Sequence, residues 1–221
     1  HRSVFQKHLA DQPLMQAVLS DMALHVEAST ALVMRLCRAF DRTPHDAAEA
    51  AYMRLLTPAI KYWTCKSAPP FLYEAMECLG GNGYVEDGIL ARHYRESPVN
   101  AIWEGSGNVM CLDVLRALSR EPEPAMAVLQ SLAAEAKGLP GAGETVAFIG
   151  KTFRRADSER VARLAVEKLA LLAAAAALNG VSPRSAELFA STRLAADRAS
   201  MYGAVELESS DVRALLERAL P

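Results

Sequence analysis

Apolar positions recur along this chain at three- and four-residue intervals and almost never in strict alternation. The pattern predicts helices and no strand. Leu14, Val18, Met22 and Val26, then Val33, Leu36 and Phe40, predict one long amphipathic helix opened by Pro13. Asp41-Arg42-Thr43-Pro44 should end it, with Thr43 capping a second helix over 44–66 that bends or is re-entered at Pro58. Residues 67–70 should break that helix. A short helix over 71–79 should stop at Gly80-Gly81. Residues 80–88, with four glycines in nine, read as loop, 94–108 as irregular chain and 109–118 as helix. Beyond a Pro-rich, charged stretch at 119–124, helices are predicted near 123–137, 142–156, 158–178, 183–200 and 209–220. Ser182 should cap the fourth of these, with Pro183 in its first turn. The fold class is therefore all-α, in two helical units, 1–118 and 119–221.

Composition narrows the classes. Of 221 residues, 51% are hydrophobic and 23% charged, which excludes a disordered chain. The net charge of -2 gives no global attraction to nucleic acid or an anionic membrane. Residues 118–221 balance 13 Lys and Arg against 13 Asp and Glu. Arg154, Arg155, Arg160 and Arg163 form the one local basic cluster, and Asp157 and Glu159 interleave it, so a solvated helix face fits better than a phosphate track. Four cysteines without a CxxC suit a reducing, cytoplasmic setting. The longest charge-free run, 169–183, has 15 residues, against the ~20 of a membrane span. The chain opens on His1, with no signal peptide, inside what reads as a helix end. A piece of a longer protein is expected.

Several motifs lead nowhere. Gly150-Lys151-Thr152 lacks the first glycine of a P-loop, and Thr145 stands in its place. The glycines of 80–88 do not have GxGxxG spacing, the five histidines show no metal-ligand spacing, and there is no GxSxG. No metal is expected. The chemistry concentrates in 74–116. Glu104 lies between Trp103 and Gly105, just before a helix, where a partly apolar setting would suit a general base. Gly105-Ser106-Gly107-Asn108 offers N–H groups, a hydroxyl and an amide at a helix N-terminus, a combination suited to a phosphate. By themselves these residues fit a tight turn with a Ser106 or Asn108 cap better.

Three stretches carry a resemblance: Glu77-Cys78-Leu79-Gly80-Gly81-Asn82-Gly83-Tyr84, Tyr94-Arg95-Glu96, and Ile102-Trp103-Glu104-Gly105-Ser106-Gly107-Asn108. In this order and separation they resemble the C-terminal helical half of acyl-CoA dehydrogenases. Residues 94–118 are most similar to the alkylation-response, AidB-like subgroup. Arg2-Ser3-Val4-Phe5 is similar to the turn after the family's central helix. The likeness spans about 2–118, and 119–221 corresponds to an appended helical domain. The resemblance implies an up-and-down bundle carrying part of an FAD site. Glu104 would take the α-proton of an acyl-CoA while a β-hydride passes to FAD. Ser106, Asn108, Arg2 and Phe5 would contact FAD. Glu77, Gly80 and Gly81 would reach the FAD of a neighbouring subunit in a dimer or tetramer. Glu77 stands where the family has glutamine, Val4 where it often has a polar residue, and Gln6 where it has glycine. The chain alone is expected to be inactive. The alternative reading is an alkylation-stress protein with little dehydrogenase activity, acting by binding DNA or protein.

Overall fold

The computed structural model describes residues 3–195 and 207–219. Ten α-helices follow one another in it: α1 (Pro13–Arg42), α2 (Ala47–Leu79), α3 (Gly81–Tyr84), α4 (Ile89–Asn100), α5 (Gly107–Arg120), α6 (Pro122–Glu135), α7 (Ala142–Phe153), α8 (Ala162–Asn179), α9 (Pro183–Arg193) and α10 (Ser209–Ala219). The all-α expectation holds, with one small exception. Ser3–Val4 (β1) pairs antiparallel with Lys7–His8 (β2), Ser3 opposite His8. Phe5 and Gln6 make the turn at φ 49° and 64°. Left-handed backbone at both central residues is the geometry of a two-residue hairpin, here without the usual Asn-Gly signal, so nothing in the sequence announced it.

The first helix buries only part of the predicted stripe: Met22 is buried and Leu36 packs against the core. Leu24, Ala28, Leu32 and Ala39 are fully buried, whereas Leu14, Val26, Val33 and Phe40 are exposed. The buried stripe relies on alanines, which let neighbouring helices approach. α1 is long and apolar enough to cross a membrane by length and composition. Its packing against α2, α8, α9 and α10, and a buried Asp21, account for that character within the bundle.

The second helix corrects three expectations. Asp46, not Thr43, caps it, its Oδ1 accepting from the N–H groups of Ala48 (2.9 Å) and Glu49 (3.2 Å). The Thr43 hydroxyl instead donates to the Ala39 carbonyl at the end of α1. The helix also runs unbroken through Pro58, Pro69 and Pro70 to Leu79. Proline normally forfeits a helical hydrogen bond. Here Pro58 is buried in a helix flanked by α1, α4, α5, α6 and α8, and that packing outweighs the local loss. Trp63, at its centre, meets Phe189 of α9 edge-on, ring centroids 6.2 Å apart, and stacks near the His25 ring at 5.1 Å.

The glycine-rich region is more helical than expected. Gly80, at φ 62°, ends α2, and Gly81–Tyr84 forms a single turn. A Cβ on Gly83 would stand 2.2 Å from the Met76 carbonyl oxygen, so that turn lies against the α2 backbone itself. α4 spans much of the stretch expected to be irregular; it buries only Ala91 and Ser97, leaving little apolar period to read.

Beyond α5 a single non-helical residue, Glu121, leads into α6. The alanine-rich α8 is buried on nearly every side, against α1, α2, α5, α6, α7 and α9. One hydrophobic cluster runs from Ala23 to Leu215. Gly150 and Thr152 are buried within α7, as a chance P-loop match requires. Helix α7 ends at Phe153 and α9 at Arg193; the remainder of the helix expected over 183–200 includes residues outside those described. Ser182 does precede Pro183 at the start of α9, but its hydroxyl donates to the Ser185 hydroxyl rather than capping a backbone group.

Candidate functional site

The segment 101–106 between α4 and α5 folds into a turn with unusual backbone. Glu104 has φ 53° and Gly105 φ 114°. Left-handed geometry is strained for a residue with a side chain, and it turns Glu104 outward. Glu104 and Trp103 are both exposed, the indole at 59%. Among the described residues, the apolar surround expected for the carboxylate is therefore not supplied: Glu104 is exposed, and the indole lies on the surface.

Two braces from α2 hold this turn and the helix behind it. Lys61 donates to the carbonyls of Trp103 (2.5 Å) and Gly105 (2.6 Å). Arg54 forms a two-pronged pair with Asp113 of α5 at 2.9 and 3.1 Å. Neither was legible in the sequence, because Lys61 and Arg54 are 42 and 59 residues from their partners and belong to no local motif. The first backbone bond of α5 runs from Met110 N–H to Ser106 C=O. The N–H groups of Gly107, Asn108 and Val109 thus open the helix without intrahelical acceptors. Ser106 stands at the N-cap with its hydroxyl uncommitted to the helix. Ser106 and Asn108 are exposed beside Glu104.

The other predicted site residues lie elsewhere. Phe5, at the hairpin tip, is 94% exposed, and Arg2 lies outside the described residues. Glu77 and Gly81 are exposed at the α2–α3 corner and Gly80 is half-buried. Burial, then Glu77 and Asp21, hold the Glu74 carboxyl above its ordinary range. Burial, then Glu74 and Glu77, raise the Cys78 thiol. This corner is therefore acidic. Among the described residues no group of three or more His, Cys, Asp or Glu could hold a metal. In the basic cluster, Arg155 pairs with Asp157 at 2.8 Å and Arg163 donates to the Tyr62 hydroxyl at 3.2 Å.

The profile of the acyl-CoA dehydrogenase C-terminal domain matches residues 1–119. The chain belongs to the acyl-CoA dehydrogenase family. It is 59% identical over 120 residues to the putative acyl-CoA dehydrogenase AidB of Escherichia coli K12, covering 54% of this chain and 22% of AidB. It is 36% identical over 121 residues to acyl-CoA dehydrogenase family member 11 of Caenorhabditis elegans, covering 53% of this chain and 20% of that protein. The matched segment thus spans about a fifth of the length of each. Among solved structures, C. elegans ACDH-11 in complex with C11-CoA matches 98% of this chain and 42% of its own, with a TM-score of 0.78 at 25% identity. A Bacillus anthracis acyl-CoA dehydrogenase complexed with FAD shares the fold, with a TM-score of 0.65 at 17% identity over all of this chain and 43% of its own.

Proposed function

We propose that this chain supplies the proton-abstracting base and part of the cofactor site of an FAD-dependent acyl-CoA dehydrogenase. The observation that carries the reading is the Glu104 turn: an outward carboxylate on left-handed backbone, followed at once by the free N–H groups of α5. Glu104 takes a proton from the carbon next to the thioester carbonyl. Negative charge then develops on the thioester oxygen and needs a donor. The Glu104 N–H, which takes no part in the backbone bonds of the turn, serves as one. FAD, when bound, supplies the acceptor for the β-hydride.

The residues fit that group. The α5 N-terminus, the Ser106 hydroxyl and the Asn108 amide make a donor set suited to a phosphate. Arg2 and the exposed Phe5 complete the contacts from this chain. Glu77, Gly80 and Gly81 serve the cofactor of a second copy, Glu77 as an acceptor-only group. A homo-oligomer belongs to this reading. α1 exposes Val26, Thr30, Val33, Cys37 and Phe40 at alternating four- and three-residue steps, the spacing of a helix–helix seam. Residues 119–221 form the appended helical unit, and the acyl-CoA ligand of the C. elegans neighbour supports a CoA thioester as substrate. We place the protein in the cytoplasm, and the alternative of DNA binding gains nothing from a basic cluster whose Arg155 and Arg163 are engaged internally.

The test is anaerobic flavin reduction by acyl-CoA in the complete gene product that carries this chain. Glu104→Gln keeps shape and size but removes the base, and should slow reduction by roughly 10²–10⁴-fold while FAD binding survives. Equal rates would remove Glu104 from the mechanism. A wild type that no acyl-CoA reduces would favour a protein whose role is binding.

A further inference from the structure

We propose that Lys61 is a positioning residue for this reaction: its ammonium polarises the two peptides that bracket Glu104, sharpening the donor that meets the developing charge. This inference rests on the reading of Glu104 given above. Its basis is geometric. The Lys61 Nζ lies 2.5 Å from the Trp103 carbonyl oxygen and 2.6 Å from that of Gly105. Those carbonyls belong to the peptides just before and just after Glu104, whose own carbonyl is spared. One cation therefore grips the turn on both sides of the base.

The Trp103 carbonyl and the Glu104 N–H are two ends of one amide. A cation on the oxygen draws electron density through the conjugated O–C–N unit and makes the N–H a stronger donor. The Gly105 carbonyl is linked in the same way to the Ser106 N–H, which leads into the α5 N-terminus. Lys61 thus acts on the donor for the thioester oxygen and on the one beside the proposed phosphate contacts, without touching either ligand. The same two bonds hold Glu104 at φ 53° and Gly105 at φ 114°, a conformation the turn would not keep by local preference. A compact ammonium with three rotatable donors suits two convergent carbonyls, and helix α2 fixes its stem within the bundle. The charge matters most in the transition state, when negative charge reaches the thioester oxygen. The effect should therefore fall on kcat and leave KM nearly alone.

The experiment compares wild type, Lys61→Met and Lys61→Arg in the FAD-loaded complete gene product. C11-CoA and a series of shorter and longer saturated acyl-CoAs serve as probes. Lys61→Met should lower kcat by about 10- to 100-fold, less than or equal to the loss of a whole oxyanion donor, with KM changed by less than about 3-fold. Lys61→Arg, which keeps the charge, should recover much of the rate. The infrared carbonyl stretch of a bound, ¹³C-labelled thioester should move to lower wavenumber in the wild type and less so in Lys61→Met. Wild-type kcat in Lys61→Met, with the stretch lowered as far as in the wild type, would overturn the proposal and leave Glu104 as the base. If Lys61→Met does not retain FAD, Lys61→Arg decides: a folded, FAD-loaded Arg variant with near-wild-type kcat supports the role of the charge, and one slowed 100-fold overturns it. A Glu104→Gln variant at full rate would instead remove the reading on which this inference rests.

Discussion

Arg193 of α9 and Asp21 of α1 form an ion pair inside the bundle, 172 residues apart in sequence, with side chains only 7% and 2% exposed. The Arg193 guanidinium also lies 5.9 Å from the centre of the Phe189 ring. The pair fastens a helix from beyond residue 119 to the first helix of the family domain. Charges taken out of water are held by their partners, and removing one partner is far more damaging than replacing both. Arg193→Met should therefore cost roughly 3–5 kcal/mol. At the sensitivity of a domain this size, the melting temperature should fall by roughly 6–20 °C. Thermal unfolding followed by circular dichroism checks this, and a melting temperature within a few degrees of wild type would show that water reaches the pair.

How much of this was legible beforehand depended on the range of the interactions involved. The helical class and the turn at Glu104 were readable, because periodicity and the Trp103–Asn108 run are local signals. The continuity of α2 was not: three prolines argue locally for breaks, and at Pro58 the burial that overrides the local signal comes from other helices. The buried stripe of α1 was only partly read, because alanine carries little hydrophobic signal, yet Ala28 and Ala39 are fully buried. The exposure of Trp103 and Glu104 also escaped the sequence, which records neighbours along the chain but not the direction in which a turn faces. Lys61, Arg54 and Asp21 depend on partners 42 to 172 residues away, and no pattern in a single sequence connects them.

Gly83 offers a test of the α2–α3 corner. An added Cβ would meet the Met76 carbonyl oxygen at 2.2 Å, with the Met76 Cα and carbonyl carbon also within 3.0 Å. These are backbone atoms of a helix and cannot rotate aside. Gly83→Ala must push the single turn of α3 off α2, at a cost of roughly 1–3 kcal/mol. The displacement carries Gly80 and Gly81 with it. If that corner serves the cofactor of a second copy, FAD affinity should fall along with stability. A control substitution at Gly81, where a Cβ meets nothing within 4 Å, should leave the melting temperature nearly unchanged. Equal melting temperatures for the Gly83 and Gly81 variants would contradict the close packing of the corner.

The last prediction concerns acid. Asp211, in the first turn of α10, accepts from Arg184 of α9 at 2.8 Å, and Arg184 also pairs with Glu187 at 2.8 Å. The guanidinium's hydrogen bonds hold the Asp211 carboxyl below its ordinary 3.8. Its place at the N-terminal end of a helix also suits a negative charge. The sign follows from linkage: the unfolded chain takes up this proton at a higher pH than the folded one. The pair's contribution is then fully present above about pH 4 to 5 and is lost as pH falls through the lowered folded value. Because half of the Arg184 side chain is in solvent, the contribution is modest. Asp211→Asn should melt roughly 1–3 °C below wild type at pH 7 in low salt. The two curves should converge as pH falls from 5 towards 3, since protonation removes from the wild type what the substitution has already removed. Salt should narrow the neutral-pH gap in the same direction. A difference that stays constant from pH 7 to pH 3 would mean that the shape of the Asp211 side chain, and not its charge, docks α10 on α9.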